Sequence, residues 1–255
     1  MRRVALITGF GRARGIAAAV ARRLVADHDL MLTGLPTYDA RHEPGGKQPD
    51  AAALAAELGR SGARVSYQAT DLAEPAAPER VVAAARDKLG GVDTLVAAHA
   101  HAVPLSLDAL EAEAIDRHLT VNVRATLLLV KAFAATQDQG RGQGRVVLFS
   151  SGQGLGPMPA ELPYVASKGA LQALVLSLSD ELAPAGVTIN AINPGPTDTG
   201  LLDGETYAAI RRRFPAGRWG TPEDAARTVA WLASEEAAWV TGQVISSEGG
   251  FRRSG

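Results

Sequence analysis

Tyr164 and Lys168 stand four residues apart in YVASK, and Ser151 precedes the tyrosine by thirteen residues in FSSGQG, so one short stretch holds a phenol, an ammonium and a hydroxyl. That trio has the makings of an acid/base site. On a helix, residues at i and i+4 share a face, which sets the Lys168 ammonium beside the Tyr164 ring and favours the phenolate. Bringing a phenol from about 10 to near 7 takes roughly 4 kcal/mol. One ammonium at roughly 4 Å supplies an interaction of that order, and a second cation nearby would complete it. The bland alternative is a solvated helix face. With four tyrosines in the chain and arginine far commoner than lysine, composition does not readily supply such a pair.

These groups need a rigid frame. At 255 residues with 46% hydrophobic content, the chain can bury a continuous core. A net charge of −1 and a pI near 6.5 create no field that gathers nucleic acid or anionic membrane, so neither partner is expected. The absence of cysteine excludes disulfides, thiolate catalysis and cysteine-ligated metal. The opening MRRVALITGF carries charge and then apolar residues, but Gly9 interrupts the run far short of a signal or membrane-spanning length. It reads as a first strand, and a soluble cytoplasmic protein is expected.

Apolar runs typical of buried parallel strands recur at 4–8, 30–33, 65–69, 94–98, 146–150, 187–193 and 243–246. Helical spacing fills the gaps, as in Ile16, Val20 and Leu24, and in two long segments, Asp116 to Phe133 and Pro163 to Leu182. Alternation of this kind predicts an α/β fold: a single Rossmann-like domain over 1–255, with a doubly wound parallel sheet of about seven strands and helices on both faces. The stretch from Leu35 to Asp50 has no periodicity. It reads as a mobile surface insertion in preference to a flap over the adenine end of a nucleotide.

TGFGRARGIA follows the first strand and opens the first long helix. Gly9, Gly11 and Gly15 therefore sit where unpaired N–H groups and the helix dipole would receive a pyrophosphate. Arg12 and Arg14 lie in the turn, and the second strand ends in Thr33, Gly34 and Leu35 without a carboxylate. Arginine suits a ribose 2′-phosphate and an acid suits the 2′-hydroxyl, so NADP(H) is expected over NAD(H).

Taken together these segments resemble the short-chain dehydrogenase/reductase family from Arg3 to Gly250, in particular its 3-oxoacyl-(acyl-carrier-protein) reductase-like members. Asp71 and Leu72 fall where that family contacts adenine, Asn122 in TVNVRAT matches its catalytic asparagine, and NPGPTDT resembles its nicotinamide-holding segment. The resemblance implies a catalytic set of Asn122, Ser151, Tyr164 and Lys168. It implies a cofactor set of Gly9, Arg12, Arg14, Gly15, Ile16, Asp71, Leu72, Ala98, His99, Tyr164, Lys168, Pro194, Gly195, Thr197 and Thr199. It further implies hydride transfer between nicotinamide and a carbonyl or secondary alcohol. Tyr164 donates the proton, Ser151 holds the carbonyl oxygen, Lys168 lowers the tyrosine pKa and binds ribose, and Asn122 holds a water linking Lys168 to solvent. The substrate pocket would draw on 101–105, 152–162 and 201–214, including Leu155, Met158, Leu162, Leu201, Leu202, Tyr207 and Phe214. A mostly apolar carbonyl compound without a charge partner is expected, with a 3-oxoacyl thioester as the specific candidate. A homotetramer packed through the two long helices and the last strand is also implied.

The chain departs from the family in two places. The glycine turn is two residues longer than usual and has Ala17 at its third glycine, and Ala97, Ala98, His99 and Ala100 replace Asn-Asn-Ala-Gly, removing the asparagine hydrogen bonds. That second departure supports a rival class, a cofactor-binding regulatory module with little turnover. An epimerase or dehydratase would need further acid/base groups in the pocket, and the sequence singles out none. His99 and His101 could form an H-x-H pair on a strand face, but no metal site is expected; they read as cofactor-lining or surface groups. Arg211 to Arg213 read as a solvated helix side, or else as a contact for an anionic substrate tail.

Overall fold

The computed structural model describes residues 2–42, 50–137, 143–201 and 204–253. Seven parallel strands form one sheet in the order β3-β2-β1-β4-β5-β6-β7. They are β1 (Arg3–Thr8), β2 (His28–Gly34), β3 (Val65–Ala69), β4 (Thr94–Ala97), β5 (Gly144–Phe149), β6 (Val187–Asn193) and β7 (Val244–Ser246). Each coincides within about two residues with an apolar run. Strands covered on both faces have no solvent side and so read as unbroken hydrophobic stretches.

Helices cover both faces. On one side α1 (Ile16–Leu24), α3 (Ala51–Gly59) and α9 (Pro222–Ala233) bury Val20, Leu24, Leu58, Val229 and Leu232. On the other, α4 (Ala77–Leu89), α6 (Ala125–Ala134) and α7 (Leu162–Leu182) bury Val81, Leu129, Phe133, Leu171 and Val175. A short α2 (Pro36–Asp39) follows β2, α5 (Ala112–His118) precedes α6, and α8 (Gly204–Arg211) follows β6. Thr221 and Asp224 form a capping box that starts α9.

Two expectations change. The segment from 116 to 133 is not one regular helix: a π-helical stretch, Leu119–Arg124, separates α5 from α6. The first part of the supposed mobile insertion is ordered as α2 and a 3-10 turn (Ala40–His42), because Pro36 at the helix start presets its backbone. Residues 43–49 of that segment lie outside the described residues.

The chain reverses direction across the sheet between β1 and β4, and the crevice beyond their carboxyl ends is where such folds bind ligands. Gly9 turns the chain there with φ 74°, and a Cβ on it would stand 2.7 Å from the Ala98 carbonyl oxygen and the His99 nitrogen. Gly9→Ala combines a left-handed backbone with a backbone collision. It should cost about 2 kcal/mol or more in a urea unfolding titration.

Candidate active site

The β1–β4 junction is closed by a side chain in the departing segment. His99 is buried, its Nδ1 lies 2.6 Å from Thr8 Oγ1 on β1, and its Nε2 lies 3.1 Å from the Val121 carbonyl in the π-helical stretch. A carbonyl only accepts, so Nε2 carries the hydrogen and Nδ1 accepts from the threonine. The imidazole therefore links β1 to the π-helical stretch, and the hydrogen bonding expected to be lost with the asparagines is supplied in another form. Burial, reinforced by the Lys168 charge, holds its pKa down at about 4. His101 goes elsewhere. β4 ends at Ala97, so strand alternation does not pair the two histidines, and the His101 ring packs edge-on against His118 at 4.6 Å.

Asn122 is fully buried within the π-helical stretch. Its Oδ1 accepts from His101 N at 2.7 Å, and its Nδ2 donates to the His101 carbonyl and to Ser167 Oγ, both at 2.9 Å. Both amide hydrogens are thus committed within the protein. Its carbonyl accepts from Thr126 Oγ1 at 2.8 Å and keeps a second lone pair.

Ser151, two residues beyond the end of β5, lines the same cavity as Tyr164, and its hydroxyl acts to lower the tyrosine pKa. Lys168 lies one turn further along α7, buried, with Nζ donating to the Phe149 carbonyl at 2.7 Å and 5.6 Å from the Tyr164 ring centroid. The three groups converge as their spacing predicts, and the phenol is largely withdrawn from water. Burial pushes the Tyr164 pKa up to about 12, with Glu161 adding to the rise and Ser151 opposing it, while burial pulls the Lys168 ammonium down to about 8. The lysine is turned toward Phe149, and burial is the largest influence on the phenol.

Two cavities meet at this point. The cleft over the sheet crevice is lined by Gly9, Arg12, Gly15, Ile16, Asp71, Leu72, Ala98, His99 and Thr199, as expected, and also by Tyr38, Asp39 and Arg117. Asp71 is held by the Ala73 amide at 2.8 Å and by Arg117 at 3.2 Å. Arg14 does not line the cleft: its guanidinium reaches 3.3 Å to Asp198 across the entrance, so the expected phosphate role is not where this side chain sits. The carboxylate missing from the end of β2 arrives five residues later. Asp39 lies so close over Gly11 that a methyl group there would collide with it, and the Tyr38 hydroxyl accepts from Ala102 N at 3.0 Å. The sequence offered a signal, an acid in the first helical turn after β2, but only if that turn was recognised as ordered.

The second cavity is lined by Ser151, Tyr164, Gly195, Thr197, Thr199, Met158, Leu201 and Tyr207, and shares Ala102, Thr199 and Leu201 with the cleft. Pro194 follows β6 and leads into this wall without lining it. Leu155 and Leu162 do not line it, Phe214 is buried beneath it against Trp219 and Phe251, and Leu202 lies outside the described residues. The wall is not apolar throughout. Glu161, Asp198, Arg213 and Arg253 line it too, which corrects the expectation of a pocket without charge partners. Of the arginine triple only Arg213 reaches the cavity.

A doubly wound sheet, a glycine turn under a helix start, and a serine, tyrosine and lysine at the switch point define a nucleotide-binding oxidoreductase. The chain belongs to the short-chain dehydrogenase/reductase family. A family model described as Enoyl-(Acyl carrier protein) reductase matches residues 9–252. The uncharacterized oxidoreductase YjdA of Bacillus subtilis is 40% identical over 253 residues, 98% of this chain and 97% of that protein. Among solved structures, a blue fluorescent protein from a metagenomic library in complex with NADPH is 31% identical with a TM-score of 0.85, covering 98% of this chain and 97% of that one. A 3-oxoacyl-[acyl-carrier protein] reductase from Brucella melitensis is 31% identical with a TM-score of 0.84 and the same coverage.

His99 predicts a pH dependence. Its folded pKa lies near 4 and that of the unfolded chain near 6.5, so the unfolded state binds the extra proton between those values. Its contribution is therefore complete above about pH 6.5 and lost as pH falls toward 4, by about 3 kcal/mol. Urea titrations at pH 7 and pH 4 should show the wild type losing about that much more than His99→Asn.

Proposed function

We propose that this protein transfers hydride between a nicotinamide dinucleotide and a carbonyl or secondary alcohol. The observation that carries the reading is that Ser151 and Tyr164 face the substrate cavity where it joins the nucleotide cleft, with Lys168 buried behind them. The cleft fits the cofactor: α1 begins without a side-chain cap and without an acid in its first turn, and Gly9, Gly15 and Ile16 line the cleft at that helix start. A bound reduced nicotinamide supplies the hydride. In reduction, Tyr164 gives its proton to the carbonyl oxygen while Ser151 donates a hydrogen bond where negative charge develops. Burial raises the phenol pKa and so favours the protonated form that this role needs. Lys168 holds the end of β5 through the Phe149 carbonyl, and its expected contact with the cofactor ribose belongs to this reading. A water linking it to solvent would rest on the Asn122 carbonyl. The regulatory-module alternative drew on the Ala97–Ala100 departure, which His99 compensates.

For the finer expectation of NADP(H) over NAD(H), the support is Arg12 on the cleft wall and a relative described in complex with NADPH. Asp39 opposes a 2′-phosphate. A 3-oxoacyl thioester is a second reading, favoured by the description of the Brucella relative. A tetramer is proposed through β7 and the long helices: β7 is a sheet edge, and Trp239 and Leu176 are strongly exposed beside it, whereas Ala125 and Leu171 of the expected contact faces belong to the core. No helix among the described residues is long and apolar enough to cross a membrane. Nothing in the chain's charge recommends nucleic acid.

Tyr164→Phe should reduce turnover roughly 100- to 10,000-fold with cofactor affinity unchanged, measured by reduced-cofactor oxidation against a ketone and thioester panel and by fluorescence titration. Asp39→Asn should shift the ratio of kcat/KM values toward NADPH and Arg12→Ala toward NADH, each by about tenfold.

A further inference from the structure

Four charged side chains line the substrate cavity, and three have protein partners. Arg253 is bidentate to Glu248 at 2.7 and 2.6 Å. Asp198 takes Arg14 and Tyr207, each at 3.3 Å. Arg213 donates to the Arg252 carbonyl at 2.6 Å and to that of Arg253, and lies over the Phe251 ring. Glu161 differs: among the described residues its carboxylate has no hydrogen-bond or ion-pair partner, although it is partly buried and lines the cavity three residues before Tyr164.

The backbone keeps it there. Glu161 N donates to the Met158 carbonyl at 3.1 Å, its own carbonyl accepts from Val165 N at 2.8 Å, and it pairs with Leu105 across an isolated bridge. A carboxylate partly withdrawn from water and left alone is costly, and burial pushes its pKa up. Its charge also bears on Tyr164, beside the oxygen that turns negative during reduction. An anionic or purely apolar substrate leaves that cost in place. A donor on the substrate removes it.

Resting on the carbonyl-reductase reading, we propose that Glu161 is the specificity-determining residue of this cavity. It receives a hydroxyl or ammonium group carried within a few bonds of the substrate carbonyl. The substrate class is then hydroxy- or amino-carbonyl compounds, in preference to plain ketones and 2-oxo acids.

The probes are hydroxyacetone, aminoacetone, butanone of matching size, and pyruvate, assayed with wild type, Glu161→Gln and Glu161→Leu. A hydrogen bond to a charged acceptor corresponds to about tenfold or more in kcat/KM, so the wild type should favour hydroxyacetone over butanone by at least that factor. Glu161→Leu should bring the ratio close to one. Glu161→Gln, which accepts a hydrogen bond without charge and preserves side-chain shape, should keep part of the hydroxyl preference and lose the ammonium preference, and both variants should gain on pyruvate. An unchanged hydroxyacetone-to-butanone ratio in Glu161→Leu, or no preference in the wild type, overturns the assignment. The same four compounds are titrated into protein saturated with oxidised cofactor, where no reduction can occur. Absence of turnover on every carbonyl would then count against the proposed reaction, while the binding ratios decide Glu161 independently.

Discussion

The buried amide of Asn122 is the contact on which the site geometry depends. Through His101 it holds the loop after β4, through Ser167 it holds α7, and it sits in the π-helical stretch that breaks the helix between them. α7 carries Tyr164 and Lys168, so this one side chain sets the distance between the acid/base pair and the floor of the nucleotide cleft. Leaving a buried donor or acceptor unpaired costs about 1–3 kcal/mol each, and three such groups meet here. The π-helical stretch, with its local cost in regular helix bonding, persists because it places the asparagine where all three are satisfied.

His99 plays the complementary part on the other side of the junction. A neutral imidazole ties Thr8 to Val121, so β1 and the π-helical stretch are joined through the segment after β4. This explains how the chain can lack the asparagine pair usual at this point and still present an intact crevice. The chemistry of the link has changed, from amides to an imidazole, and its dependence on pH with it.

Much of the fold was legible because a buried parallel sheet writes itself as apolar runs, and β1 to β7 stand where those runs stand. The Ser151, Tyr164 and Lys168 constellation was legible for a similar reason, since i, i+4 spacing on one helix is a local property. What was not legible depended on direction or on distant partners. Arg14 looked like a phosphate ligand in the turn, and only the three-dimensional placement of Asp198 claims it. Asp39 was hidden because the stretch after β2 has no periodicity, although one helical turn suffices to swing its carboxylate over Gly11. Asn122 and Lys168 were identified as residues but not as geometries. The first spends its amide on the His101 backbone and the Ser167 hydroxyl, and the second points at Phe149. Glu161 was overlooked because nothing in a sequence distinguishes a solvated glutamate from one enclosed without a partner.

The account centres on hydride passing between the two joined cavities at Tyr164. The direct measurement uses NADH and NADPH deuterated at both C4 positions, incubated with the protein and a set of hydroxyketones, with the product alcohols analysed by mass spectrometry. One deuterium on the carbinol carbon of a product, dependent on the protein, is the predicted result. Firm binding of both cofactors with no deuterium in any product would contradict it.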